Sequence, residues 1–514
     1  MSRQQKLLFH KNLNAILFKA FSSSPETIFK VPSTNSSHHG DILPYSKIPG
    51  PKYIDLNMLP GGKLHGKPMI DFHRYLRQKY GEILRIRGFF GKKDLIFVYD
   101  PNDIATVFRK SGKWPIREGM EAFAYFREKI RPDIFKSYGL VTQQHESWHK
   151  LRTVVNPIMM RPDITDIYFT KIDEIAQDFI KIVRNTRDEL NEARSDFGKL
   201  LQRWGLESIG IVALDTRLNA LEDNESKGAR LAELVDLMFL YTFKLDILPS
   251  PWRYFKTPSF KKFMKVMDEM TKIGIEYIDN SLEKFDENSK GVMKELLKKD
   301  KDIALVMAFD MLIAGIDTTT STMKTMLYYL AKNQDKQEKL RTEIRSILPK
   351  KTSQLDPIQF KNLPYLRACV KESLRIIPVV LGTARQLQHD LIIKNYFLPK
   401  GTNMILPIET LMRDDGQFPL ADKFIPERWL RNDEHQNEGC PHAKQAHPFA
   451  YLPFGFGERI CIGKRFAELE IAILTSRMVR NFQISWHHSD LKQRSTTVNT
   501  LEGELKFRLE DVVD

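Results

Sequence analysis

The chain has 514 residues, 42% of them apolar, with 79 basic against 65 acidic side chains for a net charge of +14. Its three cysteines, Cys369, Cys440 and Cys461, are too few and too scattered for a disulfide framework, and with no CxxC pair or Cys/His cluster they do not assemble a four-ligand zinc site. The basic excess suits an acidic protein partner, an anionic membrane or a plain solvated surface; with no zinc-finger spacing and no RNA-binding signature, nucleic acid is not expected as a partner.

Residues 1–25, "MSRQQKLLFHKNLNAILFKAFSSSP", carry Arg3, Lys6, Lys11 and Lys19 and no acid before Glu26. Leu13, Ile16, Leu17, Ala20 and Phe21 fall on one stripe of a helix. A basic, Ser-rich, acid-free amphipathic start is similar to a mitochondrial transit peptide, so residues 1–40 are expected to be a transit peptide and disordered start, cleaved between 20 and 45. The apolar run is broken by Lys11, Asn12, Asn14 and Lys19, short of the roughly 20 residues of a spanning helix.

The Pro- and Gly-dense stretch 43–62 reads as an extended strap. Two strands follow, 83–87 and 95–99, around a glycine-bounded turn. From 101 onward the pattern is mainly helical, with strong apolar periodicity over 163–245 and 259–285. Between those helical runs, Leu248, Trp252, Tyr254 and Phe255 sit in a proline-broken loop, either exposed for contact with a membrane through 248–255 or packed back on the protein. A long helix is expected over 301–333 and another over 364–376, then short strands within 383–406, an irregular stretch over 413–450, a helix over 463–482 and a hairpin in 496–512. The fold class is mainly α with small peripheral β-sheets.

Cys461 lies in "LPFGFGERICIGKRFAELE" (452–470), among three glycines and just ahead of a helix. A thiolate, not a thiol, is the metal ligand or nucleophile. Gly455, Gly457 and Gly463 let the backbone fold close around the sulfur, and the positive end of the following helix favours its ionised form. A nucleophilic cysteine would want a histidine partner, and no cysteine-hydrolase spacing is present; a haem iron needs only one protein ligand. The plain alternative is a buried structural cysteine. Upstream, "AGIDTT" (314–319) puts Gly315 and Thr318 mid-helix, either to make room for a ligand or as a packing glycine. "KESLR" places Glu372 and Arg375 one turn apart, "FIPERW" supplies Arg428, "WHKLR" pairs Trp148 with Arg152, and "GTARQL" holds Arg385.

"FGFGERICIG", Phe454 through Gly463, resembles in full the haem-binding loop Phe-Gly-x-Gly-x-Arg-x-Cys-x-Gly of the cytochrome P-450 superfamily, and the other motifs follow in the family's order over 41–514, read as a single monooxygenase domain. The resemblance implies the cytochrome P-450 fold, a triangular helical haem-thiolate fold, with haem b as cofactor and Cys461 as its axial thiolate. It implies that Arg459, Trp148, Arg152 and Arg385 hold the haem propionates, with Phe454 and Gly463 in the loop. It also implies that Ala314 and Gly315 shape the oxygen-binding groove, that Asp317 and Thr318 relay protons to dioxygen, and that Glu372, Arg375 and Arg428 form a buried brace. Arg367 and Lys371, a like-charge pair one turn apart, resemble the site where mitochondrial members receive a [2Fe-2S] ferredoxin fed by an NADPH-dependent reductase; Arg367 departs from the usual lysine, and Lys464–Arg465 from Arg-Arg, with charge kept. "GKWPIREGMEAFAYFRE" and "CIGKRFAELEI" look most like arthropod mitochondrial members. The expected activity is hydroxylation of a lipophilic small molecule of xenobiotic type, with an ecdysteroid or steroid biosynthetic hydroxylase as alternative, and a non-catalytic haem-thiolate sensor as an alternative from another class. The expected location is the matrix side of the inner mitochondrial membrane.

Overall fold

Asp100 and Asp300 mark how locally the helix boundaries are set. The Asp100 carboxylate accepts the Asn102 amide (2.8 Å) ahead of the helix Pro101–Arg109, and Asp300 accepts the Ile303 amide (2.9 Å) ahead of the 32-residue helix Lys301–Lys332. The structure, a computed structural model, describes residues 41–52, 67–88, 90–222, 226–283, 290–430 and 442–513. The expected transit segment, half of the strap and Cys440 lie outside the described residues.

The helix Lys301–Lys332, the central helix, is long and apolar enough to cross a membrane, but it is buried along most of its length against other helices. Its closest neighbour is the helix Phe197–Leu214. Two glycines allow that approach: a Cβ on Gly315 would lie 2.4 Å from Cγ1 of Ile209, and one on Gly205 would lie 2.8 Å from Oγ1 of Thr320. At Gly315 the packing reading of the sequence therefore accounts for the missing side chain. Around this pair stand the helices Ile164–Thr186, Lys227–Thr242, Pro258–Glu283 and Lys464–Asn481.

The sheets are small and peripheral. The four-stranded one runs in the order Ile83–Ile86, Leu95–Val98, Asn403–Leu406, Thr383–Gln386, with the middle pair parallel and the outer pairs antiparallel. The expected C-terminal hairpin does not form. Asn499–Glu502 pairs with Lys492–Ser495, while Arg508–Asp511 pairs with Phe482–Ser485 in a different sheet. Between the two strands the backbone turns through Gly503 (φ 130°), and Leu505 and Phe507 are drawn into the helical core, which separates them. In the loop after Ile247 the sequence reading is split: Trp252 is buried, stacked on Phe260 at 5.3 Å, whereas Tyr254 and Phe255 are 65% and 62% exposed.

The expected brace is present. Glu372, fully buried, accepts Nε and Nη2 of Arg375 (both 2.9 Å), Nε of Arg428 (3.1 Å), the Ile425 amide (2.9 Å) and the Trp429 indole (2.9 Å). Arg375 donates onward to the carbonyls of Met412 and Lys423, and Arg428 to that of Pro419. One carboxylate thereby ties the helix Pro364–Ile376 to the irregular segment that leads into the Cys461 loop. Removing it strands two buried guanidiniums. Glu372→Ala is expected to cost at least about 3–5 kcal/mol of folding stability, read by urea unfolding, while removing an exposed surface acid would cost far less. A loss below 1 kcal/mol, roughly that of a surface ion pair, would show the network to be dispensable.

Candidate functional site

The Cys461 loop is built from its glycines outward. Gly455 (φ 77°) and Gly457 (φ 72°) adopt left-handed backbone that a side chain would strain, and the turn they make returns the Cys461 amide to the Phe454 carbonyl at 2.9 Å. Gly463 has ordinary backbone (φ −86°, ψ 4°), so its lack of a side chain has another cause. A Cβ on any of the three would meet nothing within 4 Å, which leaves an open face beside the sulfur. The Cys461 side chain is reachable by solvent although protein atoms surround it.

Burial raises the Cys461 thiol above its ordinary value, against the pull of the Gly463 amide, Arg152 and Arg117. The depressed thiol expected from the helix terminus is thus outweighed by desolvation. Such a thiol is a poor free nucleophile; ligation to a cation would offset the desolvation and ionise it.

Four arginines converge here. Arg459 lies with its guanidinium 3.7 Å from the centre of the Trp148 ring and donates to the carbonyls of Pro115 (2.9 Å), Gln143 (3.1 Å) and Leu140 (3.4 Å) and to Oε1 of Gln144 (2.8 Å). Arg152 donates to the Ile460 carbonyl (2.8 Å), and Arg385 to Thr383 Oγ1 (3.0 Å) and the Ala384 carbonyl (2.8 Å). The Nε atoms of Arg152 and Arg385 are buried without a partner. Arg117 joins them; its backbone is held by Gln144 at 3.0 and 2.8 Å. Burial holds all four below the ordinary arginine value, and repulsion from Arg117 adds to this at Arg152, Arg385 and Arg459. None of the four makes an ion pair among the described residues. Four desolvated cations, a thiol and an open glycine face suit a planar group that carries carboxylates and a metal accepting one sulfur.

Trp148, Arg152, Arg385, Phe454, Arg459 and Cys461 are thus brought together as the sequence implied. Arg117 and Gln144 were missed. The available signal was an arginine directly after the apolar, proline-containing run Trp114–Ile116, where a surface residue is out of place.

The central helix contributes an open face. Ala314 is exposed in the middle of an otherwise buried stretch, and Thr318, one turn on, donates its hydroxyl to the Ala314 carbonyl at 2.7 Å. Asp317 points elsewhere. It is buried, accepts Nε2 of Gln202 at 2.9 Å, and shares a small polar pocket with Asp236, Lys324 and Arg494. Burial first, then Asp236, push its carboxyl up to about 6 against Gln202, Lys324 and Arg494.

A second feature lies on the surface. Arg367 and Lys371 are exposed one turn apart on the helix Pro364–Ile376. With Lys464 and Arg465 they surround Glu468, each pulling its carboxyl down against the rise caused by burial.

Comparison with known proteins agrees with this geometry. A family model described as Cytochrome P450 matches residues 48–509. The chain is 40% identical over 481 residues to "Probable cytochrome P450 12b2, mitochondrial" of Drosophila melanogaster, covering 91% of this chain and 90% of the relative. It is 41% identical over 471 residues to "Cytochrome P450 12b1, mitochondrial" of Drosophila acanthoptera (90% and 88% covered), and 39% identical over 498 residues to "Cytochrome P450 CYP12A2" of Musca domestica (93% of each).

The Asp317 carboxyl sets a pH-dependent stability. With a folded value near 6 and an unfolded value near 3.8, the folded chain holds more protons between the two, so stability falls as pH rises through that window and is level above it. Asp317→Asn is expected to flatten this slope. Equal slopes for wild type and variant from pH 4 to 6, by denaturant unfolding, would contradict the assignment.

Proposed function

The chain belongs to the cytochrome P450 family, haem-thiolate monooxygenases, and from that membership we propose a mitochondrial enzyme that hydroxylates a lipophilic small molecule of xenobiotic type with electrons from a ferredoxin. The observation that carries the reading is the cluster of four desolvated arginines, none ion-paired among the described residues, beside a solvent-reachable cysteine. In this reading Cys461 would supply the sulfur ligand, and Arg117, Arg152, Arg385 and Arg459, with the Trp148 ring against Arg459, would hold the propionates of haem b. Phe454 and Gly463 frame the sulfur, and Ala314 and Gly315 belong to the central-helix segment that would border the group. The haem supplies activation of dioxygen and oxidation of a substrate C–H bond to an alcohol, two electrons and two protons being consumed and one water released.

The protein's part is to orient, exclude water and deliver protons. Asp317, poised near 6, takes up a proton in the polar pocket beside Lys324 and Arg494, and hands it to the Thr318 hydroxyl once its side chain leaves Gln202. Substrate meets apolar walls. In residues 378–382 the Pro378 and Val379 carbonyls are taken by Asn499 (2.9 and 2.8 Å), so the segment offers side chains such as Val379 and Val380 rather than backbone acceptors. Such a lining favours breadth of substrate over recognition of one polar group.

Support for the ferredoxin comes from Arg367, Lys371, Lys464 and Arg465, four cations around Glu468 on the face bearing the Cys461 loop's helix. Exposed Ile247, Tyr254 and Phe255 support peripheral contact with the inner membrane on its matrix side. The relatives named mitochondrial support the compartment.

Two expected outcomes test this reading. Cys461→Ser should abolish the red-shifted thiolate band of the reduced carbon monoxide complex; a retained band would remove Cys461 from the role. Turnover should require ferredoxin and its reductase, and Arg367→Glu with Lys371→Glu should raise the ferredoxin KM about tenfold or more at low salt, with the thiolate band intact. Turnover indifferent to both reversals would place the donor elsewhere.

A further inference from the structure

Arg127 and Asp310 form an ion pair in the protein interior that none of the roles above uses. Arg127 is fully buried, and its Nη2 lies 2.5 Å from Oδ1 of Asp310, itself 7% exposed. The guanidinium sits among the rings of Phe123 (4.5 Å), Phe135 (4.7 Å) and Phe309 (5.5 Å) and donates to the Tyr138 carbonyl at 2.8 Å. The other oxygen of Asp310 accepts the Leu140 amide at 3.1 Å. Gly139 (φ 76°) admits this arrangement, since a Cβ there would fall 2.3 Å from Asp310 and 2.4 Å from Arg127. Arg127 itself lies in a π-turn, Phe126–Ile130.

Where the pair acts follows from its neighbours. Asp310 lies one helical turn before Ala314, on the same side of the central helix as the open face. Leu140 gives its amide to Asp310 and its carbonyl to Arg459, and Gln143 and Gln144 also bind Arg459. The segment 121–144 is therefore held at one side to the arginine cluster and at the other to the central helix. Arg131 adds a tie to Asp268 of the helix Pro258–Glu283 at 3.1 Å. A buried ion pair is a weak source of stability compared with apolar packing, but it fixes register, because only one seating satisfies both charges.

We propose that Arg127 and Asp310 are specificity-determining positioning residues: their ion pair fixes how far segment 121–144 stands from the central helix, and so the size of lipophile accepted above Cys461. The inference rests on the reading of this space as a haem and lipophile cavity.

The test uses the haem-loaded full chain and 1-substituted imidazoles graded from methyl to biphenylmethyl, with binding read as a Soret shift. The Arg127→Leu/Asp310→Leu double variant removes both charges at once and leaves no unpaired charge behind. The affinity ratio between the smallest and largest imidazoles is expected to shift toward one by about fivefold or more relative to wild type. Hydrogen exchange at the Leu140 amide should quicken at the same time. An unchanged ratio in a double variant that keeps its thiolate band overturns the proposal, whatever its melting temperature, because a merely structural pair would alter stability and not size selection. Should the double variant fail to load haem, Asp310→Asn is measured against the same series, and an unchanged ratio there overturns it equally. A wild type that binds only the methyl compound overturns the lipophile cavity and the inference with it.

Discussion

One carboxylate, that of Glu372, is the constraint on which the proximal half of the molecule depends. It pairs with both Arg375 and Arg428, all three side chains being fully buried, and it also satisfies the Ile425 amide and the Trp429 indole. Such a network is costly to form and more costly to leave half-made, so it locks rather than adapts. Through Trp429, whose ring lies 4.5 Å from that of Tyr451, and through the Tyr451 hydroxyl on the Lys371 carbonyl, the lock reaches the start of the Cys461 loop. The same helix carries Arg367 and Lys371 on its outer face. Structural brace and docking surface are two sides of one element, so an electron donor would bind to a rigid support.

The site itself is organised by an imbalance. Four guanidiniums gather with no ion pair among the described residues, and two of their Nε atoms remain without partners there. A folded protein does not retain buried like charges unless something else neutralises them. The carboxylates of a haem are that neutralising group in the proposed reading, and the contacts from Arg459 to Pro115, Leu140, Gln143 and Gln144 then make the seating of segment 115–144 part of the cofactor site. In that reading a segment far in sequence from Cys461 bears on the cofactor site.

Much of this was legible in the chain. The loop Phe454–Gly463 is contiguous, and Gly455 and Gly457 take left-handed backbone that the turn requires, so the tight turn read from the motif is the one that forms. The Glu372/Arg375 pair is local for the same reason, one turn apart on one helix. The helix Pro364–Ile376 and the strands at 83 and 95 followed from proline position and alternation. By contrast, Arg117 and the Arg127–Asp310 pair were invisible: 183 positions separate the latter two, and nothing in the local pattern of either announces the other. The orientation of Asp317, turned to Gln202 rather than along the open face, was equally beyond reach, since it depends on which helix packs against that side.

What the sequence by itself determined is everything carried by short-range geometry: helix boundaries set by caps and prolines, the tight turn around Cys461, the ionic pair within one helix and the basic pair on its outer face. Only the tertiary structure decided the rest. It sent the two C-terminal strands to different sheets because Leu505 and Phe507 are drawn into the core between them, and buried Trp252 against Phe260 while leaving Tyr254 and Phe255 outside. It set Gly315 against Ile209 and assembled four distant arginines around one sulfur. In each case the reason is the same: burial and charge balance are properties of the assembled interior, and a residue's share in them depends on neighbours that sequence separation conceals.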